Sequence, residues 1–409
     1  MLTFKQYLIE AVKEGKNLHL EHLEDEVLNH GVDGTRAAIN FLQSLRDMLA
    51  GNAKRSVNVS VKWDGAPAIF AGINPENDKF FVGTKGVFNV NPKVNYTDAD
   101  IDKNHSAAGL NAKLKVALKH LPKLGITDVL QGDMLFTDDD FKTETIDDKS
   151  YITFTPNTIT YAIPKESSHK ITKAKMGIVW HTTYSGEKLE DMRASFSANI
   201  SGLTKTNDVW FSDANYKDTS GTINFNKAET DAITSVLSLA GKTFRKMTSS
   251  FMNNLMKRED IVILIKTYNN VKVREGQKIS NTVKHTSDLI KYIEVKLQKN
   301  IDSVKTPKAK DAKKKIKNEI VGYLSSHKGD LRTIFDMQNL LVDAKDMIVR
   351  KLEKAKGVMD TFIRTDDGYR VTAPEGFVAI DKMGDAVKLV DRMESVSYTH
   401  LTLPTNREV

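Results

Sequence analysis

The chain has 409 residues, 40% of them hydrophobic and 28% charged, with a formal net charge of +7. That length allows two or three domains, and that composition excludes a chain disordered throughout. No run approaches the ~18 apolar residues of a membrane-spanning helix, and the lack of cysteine excludes disulfides, thiolate zinc sites and cysteine nucleophiles.

Residues 1–50 read as an N-terminal helical segment. Its opening, MLTFKQYLIEAVKEG, has no signal-peptide core. Leu18, Leu20, Leu23, Val27 and Leu28 form an apolar stripe, and a second helical run covers Thr35–Ala50 with a glycine at each end. The stretch LHLEHLEDEVLNH carries His19, Glu21, His22, Glu24, Asp25 and His30. Such residues can ligate a metal, but their pattern reads as the exposed polar face of a helix.

From Val57 to about Tyr184 the pattern turns to short strands rich in Val, Ile, Thr and aromatics: VNVSVKW, PAIFAGI, KFFVGTKGVF, VLQGDMLF, YITFTP, NTITYAI and KMGIVWHTTY. One helix, near Gly109–Leu121, interrupts them. Residues 51–185 are therefore the first part of a strand-rich core. From Gly186 the chain becomes polar, and from Lys227 it is mostly helical by periodicity. Between Gly186 and Arg370 there are 34 Lys and Arg against 24 Asp and Glu, and within Lys242–Lys317 the ratio is 20 to 7. A block this basic attracts polyanions, nucleic acid first; the plainer reading is a solvated lysine-rich helical face. KTPKAKDAKKKIK reads as an exposed linker and a helix start. GYRVTAPEGFVAI and DAVKLVDR return to strand pattern, so residues 371–395 complete the core around a basic, mainly helical insertion at 186–370. VSYTHLTLPT, Val396–Thr405, is what a transposon-derived sequencing adapter encodes, and 396–409 are read as a non-native tail.

Within the core, Lys62-Trp63-Asp64-Gly65 resembles motif I, Lys-x-Asp-Gly, of the covalent nucleotidyltransferases: the ATP-dependent DNA and RNA ligases and the mRNA capping enzymes. The tetrapeptide alone is weak, and its ordered company strengthens it. Gly83-Thr84-Lys85-Gly86 resembles the basic motif that touches phosphates. Leu130–Leu135, LQGDML, resembles motif III. GIVWHTTY resembles the strand that offers an aromatic to the base. Glu375-Gly376-Phe377-Val378 resembles motif IV and Ala386–Val390 resembles motif V.

The resemblance implies an α+β, ligase-type nucleotidyltransferase with ATP-grasp-like antiparallel sheets. It implies a phage-type, ATP-dependent polynucleotide ligase that joins 5′-phosphate and 3′-hydroxyl ends of DNA and/or RNA. ATP and Mg²⁺, with Mn²⁺ as a substitute, would be its cofactors, polynucleotide ends its partners, a monomer its expected state, and the cytoplasm (of a host, for a phage protein) its setting, with no membrane. Lys62 would be the nucleophile, and an amine attacks phosphorus only when unprotonated. Lys85 and Lys388 would lower its pKa and neutralise the α-phosphate. Asp64 would orient Lys62 and the ribose end of the nucleotide, and Gly65 would be among the cofactor-binding residues. Asp133 would bond a ribose hydroxyl or help hold the metal, and Glu375 is a hard oxygen ligand for Mg²⁺. Trp180 or His181 would cover the base; strand alternation sends them to opposite faces, so one of the two serves.

The sequence departs from the family pattern in places. Pro67 stands where motif I usually has arginine, and Asp133 where motif III usually has glutamate. Val390 replaces the second lysine of motif V, with Arg392 two residues on. No OB-fold module is expected after motif V, which fits the RNA-joining ligases better than the capping enzymes. Two other readings stay open: a GTP-dependent, capping-type guanylyltransferase, and a non-catalytic nucleic-acid-binding protein with a decayed nucleotide pocket.

Overall fold

The computed structural model describes residues 22–51, 58–196, 198–215, 224–354, 359–365, 368–372, 376–380 and 386–390. In chain order, α1 (Glu26–Leu49, kinked at Gly31) leads to β1 (Asn58–Lys62), β2 (Ala68–Asn74) and β3 (Lys79–Gly83). Then come α2 (Asp98–Asn104), α3 (Ala108–His120), β4 (Val129–Thr137), β5 (Lys142–Ile146), β6 (Lys149–Phe154) and β7 (Thr160–Pro164). β8 (Met176–Ser185), β9 (Arg193–Phe196) and β10 (Val209–Asp213) follow. Six helices come next: α4 (Lys227–Lys246), α5 (Ser249–Met256), α6 (Glu259–Arg274), α7 (Thr282–Asp302), α8 (Pro307–Ser326) and α9 (Lys328–Leu352). The last described elements are β11 (Asp360–Thr365), β12 (Gly368–Val371), β13 (Gly376–Ile380) and β14 (Ala386–Leu389). This is an α+β architecture. No helix among the described residues is long and apolar enough to cross a membrane.

The strands form three sheets. The largest runs β10-β8-β4-β2-β3, and β9 shares the outer edge of β8 with β10. One of its faces packs under α2 and α3, where Ile69, Leu130, Ile178 and Trp180 meet Ile101, Leu114 and Ala117. A second sheet, β12-β11-β7-β6-β5, is antiparallel throughout. The third, β1-β13-β14, is also antiparallel. Side chains alternate across a strand. In this third sheet Val59, Val61, Phe377 and Leu389 pack on the helical core. Ser60, Lys62, Val378 and Lys388 consequently share the opposite face.

α1 and the helices α4 to α9 form one packed unit. Leu42 and Leu45 of α1 lie in the same buried core as Ile233 and Leu237 of α4 and Phe335 and Leu341 of α9. A fully buried side chain of this kind contributes about 1.5–3 kcal/mol, so the N-terminal helix and the basic helices are held as a body rather than as separate appendages. Sequence separation concealed this union.

The structure also narrows the helical segment. Residues 186–370 begin and end in strands: β9 and β10 extend the largest sheet, and β11 and β12 extend the second. β9 and β10 are partly exposed edge strands, which is why their composition resembled the polar helices that follow. The LHLEHLEDE stretch is corrected as well. Its described part is a 3-10 turn, Leu23–Asp25, running into α1, and Glu24, Asp25 and Glu26 are buried rather than displayed. Glu24 pairs with Lys345 of α9, 2.9 Å away and itself buried; His19 and Glu21 lie outside the described residues.

One buried histidine makes the helical unit sensitive to acid. His285 of α7 is 7% exposed. Its Nε2 lies 2.9 Å from Asn269 Oδ1, and its ring meets Phe335 edge-on. Burial first, and then the charge of Lys272, push its pKa from 6.5 down to about 4, with Asp288 opposing. The folded protein therefore refuses a proton that the unfolded chain accepts. Stability that is intact above about pH 6.5 should fall as the pH drops toward about 4. Urea midpoints measured across that window should decline, and His285→Gln should flatten the decline; an identical slope in the variant would clear His285 of the effect.

Candidate functional site

The candidate residues gather where the three-stranded sheet meets the largest one. β1 ends at Lys62, and five residues later the chain enters β2 of the other sheet. Two further links close the seam. Val61 donates its N–H to the Ala214 carbonyl at 2.7 Å, and Ala214 donates to the Trp180 carbonyl at 2.9 Å. The turn between β1 and β2 docks on β4, with Ala66 N–H bonded to the Met134 carbonyl at 2.9 Å and Met134 N–H to the Pro67 carbonyl at 3.0 Å. Lys113 of α3 reaches the Ala66 carbonyl at 3.2 Å.

Asp64 anchors this turn. It is 5% exposed. Its Oδ1 accepts from Asn157 Nδ2 at 2.8 Å, and its Oδ2 accepts from the N–H groups of Thr158 and Ile159 at 2.7 and 2.6 Å. Its own N–H donates to the Tyr161 hydroxyl at 2.7 Å. Both carboxylate oxygens thus satisfy the turn that leads into β7. Next to it, Trp63 stacks on Tyr161 with ring centroids 5.3 Å apart. Asn157, Thr158, Ile159 and Tyr161 carried no local signal in the sequence, because their role is set by contact with a residue more than 90 positions away.

Gly65 fits because it has no side chain: a Cβ there would stand 2.6 Å from the Cβ of Asp133. That contact sets the turn after Lys62 directly against Asp133. On β8, the pairing with β4 passes from Thr182 opposite Gln131 to Trp180 opposite Gly132, leaving His181 as a bulge. Bulges re-aim side chains. Here His181 Nε2 comes within 3.7 Å of Asp133 Oδ2, while Nδ1 lies 2.7 Å from Thr182 Oγ1. Trp180 is different. It is fully buried against Leu114 and Ala117 of α3, so of the two stacking candidates only His181 is open to a ligand.

Two lysines flank this group. In the three-stranded sheet Lys62 pairs with Gly376, and Val378 pairs with Lys388. Both lysines therefore project from one face, two strands apart and two residues out of step, or about 12 Å at a strand spacing of about 4.8 Å and a rise of about 3.4 Å per residue. Gly376 holds the join: its φ is +147°, and a Cβ would lie 2.5 Å from Val390 Cγ2. Lys85 is exposed at the start of the 3-10 turn Lys85–Phe88, just past the end of β3. Across that end of the sheet Phe70 pairs with both Gly83 and Gln131, and Ala68 pairs with Asp133.

Glu375 lies outside the described residues. Among the described residues no group of three or more His, Asp or Glu could hold a metal by itself. Asp133 supplies one hard oxygen donor at the seam, with its side chain 22% exposed. That is compatible with Mg²⁺, which takes one or two carboxylates and completes its shell with waters and substrate phosphates. An open cleft of about 340 Å³ lies nearby, lined by Ala198, Asn199, Ile200, Ser201, Asp213 and Asn215. Asn215 bridges to Ser60 of β1, two residues before Lys62.

The geometry defines an α+β protein with a cationic and acidic seam between two sheets, backed by a helical unit. By sequence it belongs to a family of unknown function, DUF6267, whose profile matches residues 17–403. No curated protein and no solved structure matches the chain.

Packing at Gly65 can be tested against an open glycine. Gly65→Ala should destabilise the protein by about 1–3 kcal/mol through overpacking on Asp133. Gly322→Ala, in the middle of α8 with nothing within 4 Å of its would-be Cβ, should stabilise it by about 0.5–1 kcal/mol. Chemical denaturation of both variants checks this, and equal effects would mean that the turn does not press on Asp133.

Proposed function

We propose that this protein is an ATP-dependent polynucleotide ligase that works through a lysyl-AMP intermediate on Lys62. The observation that carries the reading is the register of β1, β13 and β14. It sets Lys62 and Lys388 on one face, while the turn after Lys62 packs against Asp133.

In the first step the deprotonated Nζ of Lys62 attacks the α-phosphorus of ATP. A P–N bond forms, the bond to the β-phosphate oxygen breaks, and pyrophosphate leaves. Lys388, and Lys85 at the neighbouring sheet end, would offset the growing phosphate charge. The buried Asp64 holds the turn that aims Lys62. His181 would offer its ring to the base, and Asp133 would offer an oxygen to a ribose hydroxyl or to Mg²⁺; Glu375, the second ligand the resemblance implies, lies outside the described residues. Mg²⁺, when bound, supplies charge neutralisation on the phosphates. In the second step a 5′-phosphate oxygen of the polynucleotide attacks the phosphorus of lysyl-AMP, and Lys62 leaves. In the third, a 3′-hydroxyl attacks that 5′-phosphate, loses its proton and expels AMP.

The polynucleotide would be gripped by the helical unit, and the best-suited element is the α7–α8 hairpin. Residues 291–317 contain ten lysines and three acidic residues. Lys317 is engaged by Glu294 and Gln298 and Lys296 lies over Tyr292. Lys291, Lys299, Lys305, Lys308, Lys310, Lys314 and Lys315 are exposed, as phosphate contacts require.

Two measurements test this reading. With Mg²⁺ and α-labelled ATP, the protein should carry label through a denaturing gel, and Lys62→Ala should lose it. Label from GTP alone would move the reading to capping, and none from either nucleotide would leave a binding protein. Replacing Lys308, Lys310, Lys314 and Lys315 together by Glu should preserve labelling. It should weaken binding to a nicked duplex by at least about tenfold and flatten the salt dependence; unchanged affinity would remove the hairpin from the interface.

A further inference from the structure

We infer that the buried Glu24–Lys345 pair positions Lys388. The inference rests on the proposed role of Lys388 in nucleotidyl transfer.

β14 is a strand of only four residues at the edge of its sheet, with β13 on one side. On its other side, among the described residues, the chain at His22 forms a parallel bridge with Lys388 itself. The backbone that carries this lysine is thus held between β13 and the start of the 3-10 turn Leu23–Asp25. Leu23 buries its side chain in the helical core, and beside it an ion pair ties the turn to α9. Both oxygens of Glu24 accept from Lys345 Nζ, at 3.0 and 2.9 Å, and the two side chains are 5% and 1% exposed. Burial alone would raise the Glu24 pKa; the Lys345 charge, aided by His22 and by hydrogen bonding, outweighs it and holds the carboxyl below its ordinary value. Gln338 adds a bond from its Nε2 to the Glu24 carbonyl at 3.2 Å, and its Oε1 accepts from Asn269 Nδ2 at 3.5 Å.

An ion pair removed from water on both sides is a poor source of stability, since well-packed apolar residues of the same volume serve as well or better. What the pair supplies is a single geometry. An apolar surface lets a short turn slide, whereas a bidentate carboxylate–ammonium contact fixes it to one point on α9. One residue pair before that point stands His22, and across from it Lys388. Glu24 and Lys345 are accordingly positioning residues, acting on the phosphate-facing lysine through the turn and the strand.

The test uses Glu24→Met/Lys345→Met in the full chain, which keeps the volume and removes both charges, with Lys345→Met alone for comparison. The double variant should unfold at a temperature close to that of the unmodified protein, while the single variant, left with an unpaired buried carboxylate, should unfold well below it. In the folded double variant, lysyl-AMP formation should slow about ten- to a hundredfold at saturating ATP, with little change in the ATP concentration for half-maximal rate. Amide exchange at residues 386–389 should accelerate in the same protein. A folded double variant with unmodified rate and unmodified exchange overturns the inference. Should the unmodified protein take no label, the ligase reading fails by itself, and the exchange at 386–389 still decides whether the pair holds that strand.

Discussion

Asp64 lies at the place where all three sheets meet. The chain before it belongs to the three-stranded sheet, the chain after it to the largest, and the turn it grips leads into β7 of the five-stranded second sheet. A buried carboxylate is costly unless its lone pairs are used, and here two backbone N–H groups and an amide use them. Those N–H groups would otherwise be orphaned as well, so each side satisfies the other. The turn has little freedom left: its preceding residue stacks on Tyr161, its glycine rests on Asp133, and Ala66 is bonded to β4. The position of Lys62 follows from these constraints.

Sidedness comes from the helices. The helical unit takes the Val59, Val61, Phe377 and Leu389 face of the small sheet into its core. A strand alternates, so Ser60 and Lys62 of β1 and Lys388 of β14 face away from the helices, and two lysines come to share one surface. A short sheet docked on a rigid support fixes that shared face.

Charge is handled differently in different parts of the helical unit. On α9, Lys345 and Lys351 are bound to Glu24 and Glu229, and Arg258 before α6 is shared by Asp260 and Glu319. These cations join elements to one another. Along α7 and α8 most lysines are exposed and the acidic residues are few. The net basic character of the block is therefore concentrated on one hairpin, apart from the seam.

Several features were legible in the sequence alone. The strand-rich and helix-rich regions, the helix near Gly109–Leu121 (Ala108–His120 in the structure) and the strand positions of Lys62 and Lys388 follow from periodicity, a short-range property. The glycines at 65 and 376 stood out only as parts of the motif resemblance, and the reason for each appears only with Asp133 and Val390 in place. The choice between Trp180 and His181 was not legible, because it depends on which face α3 covers and on a bulge that no alternation rule contains. Nor was the fate of Glu24, which looked like a solvated side chain until its partner 321 residues away was brought against it. Local pattern determines which residues share a strand or a helix face. Burial and pairing depend on contacts between distant segments, and those the tertiary structure alone decides.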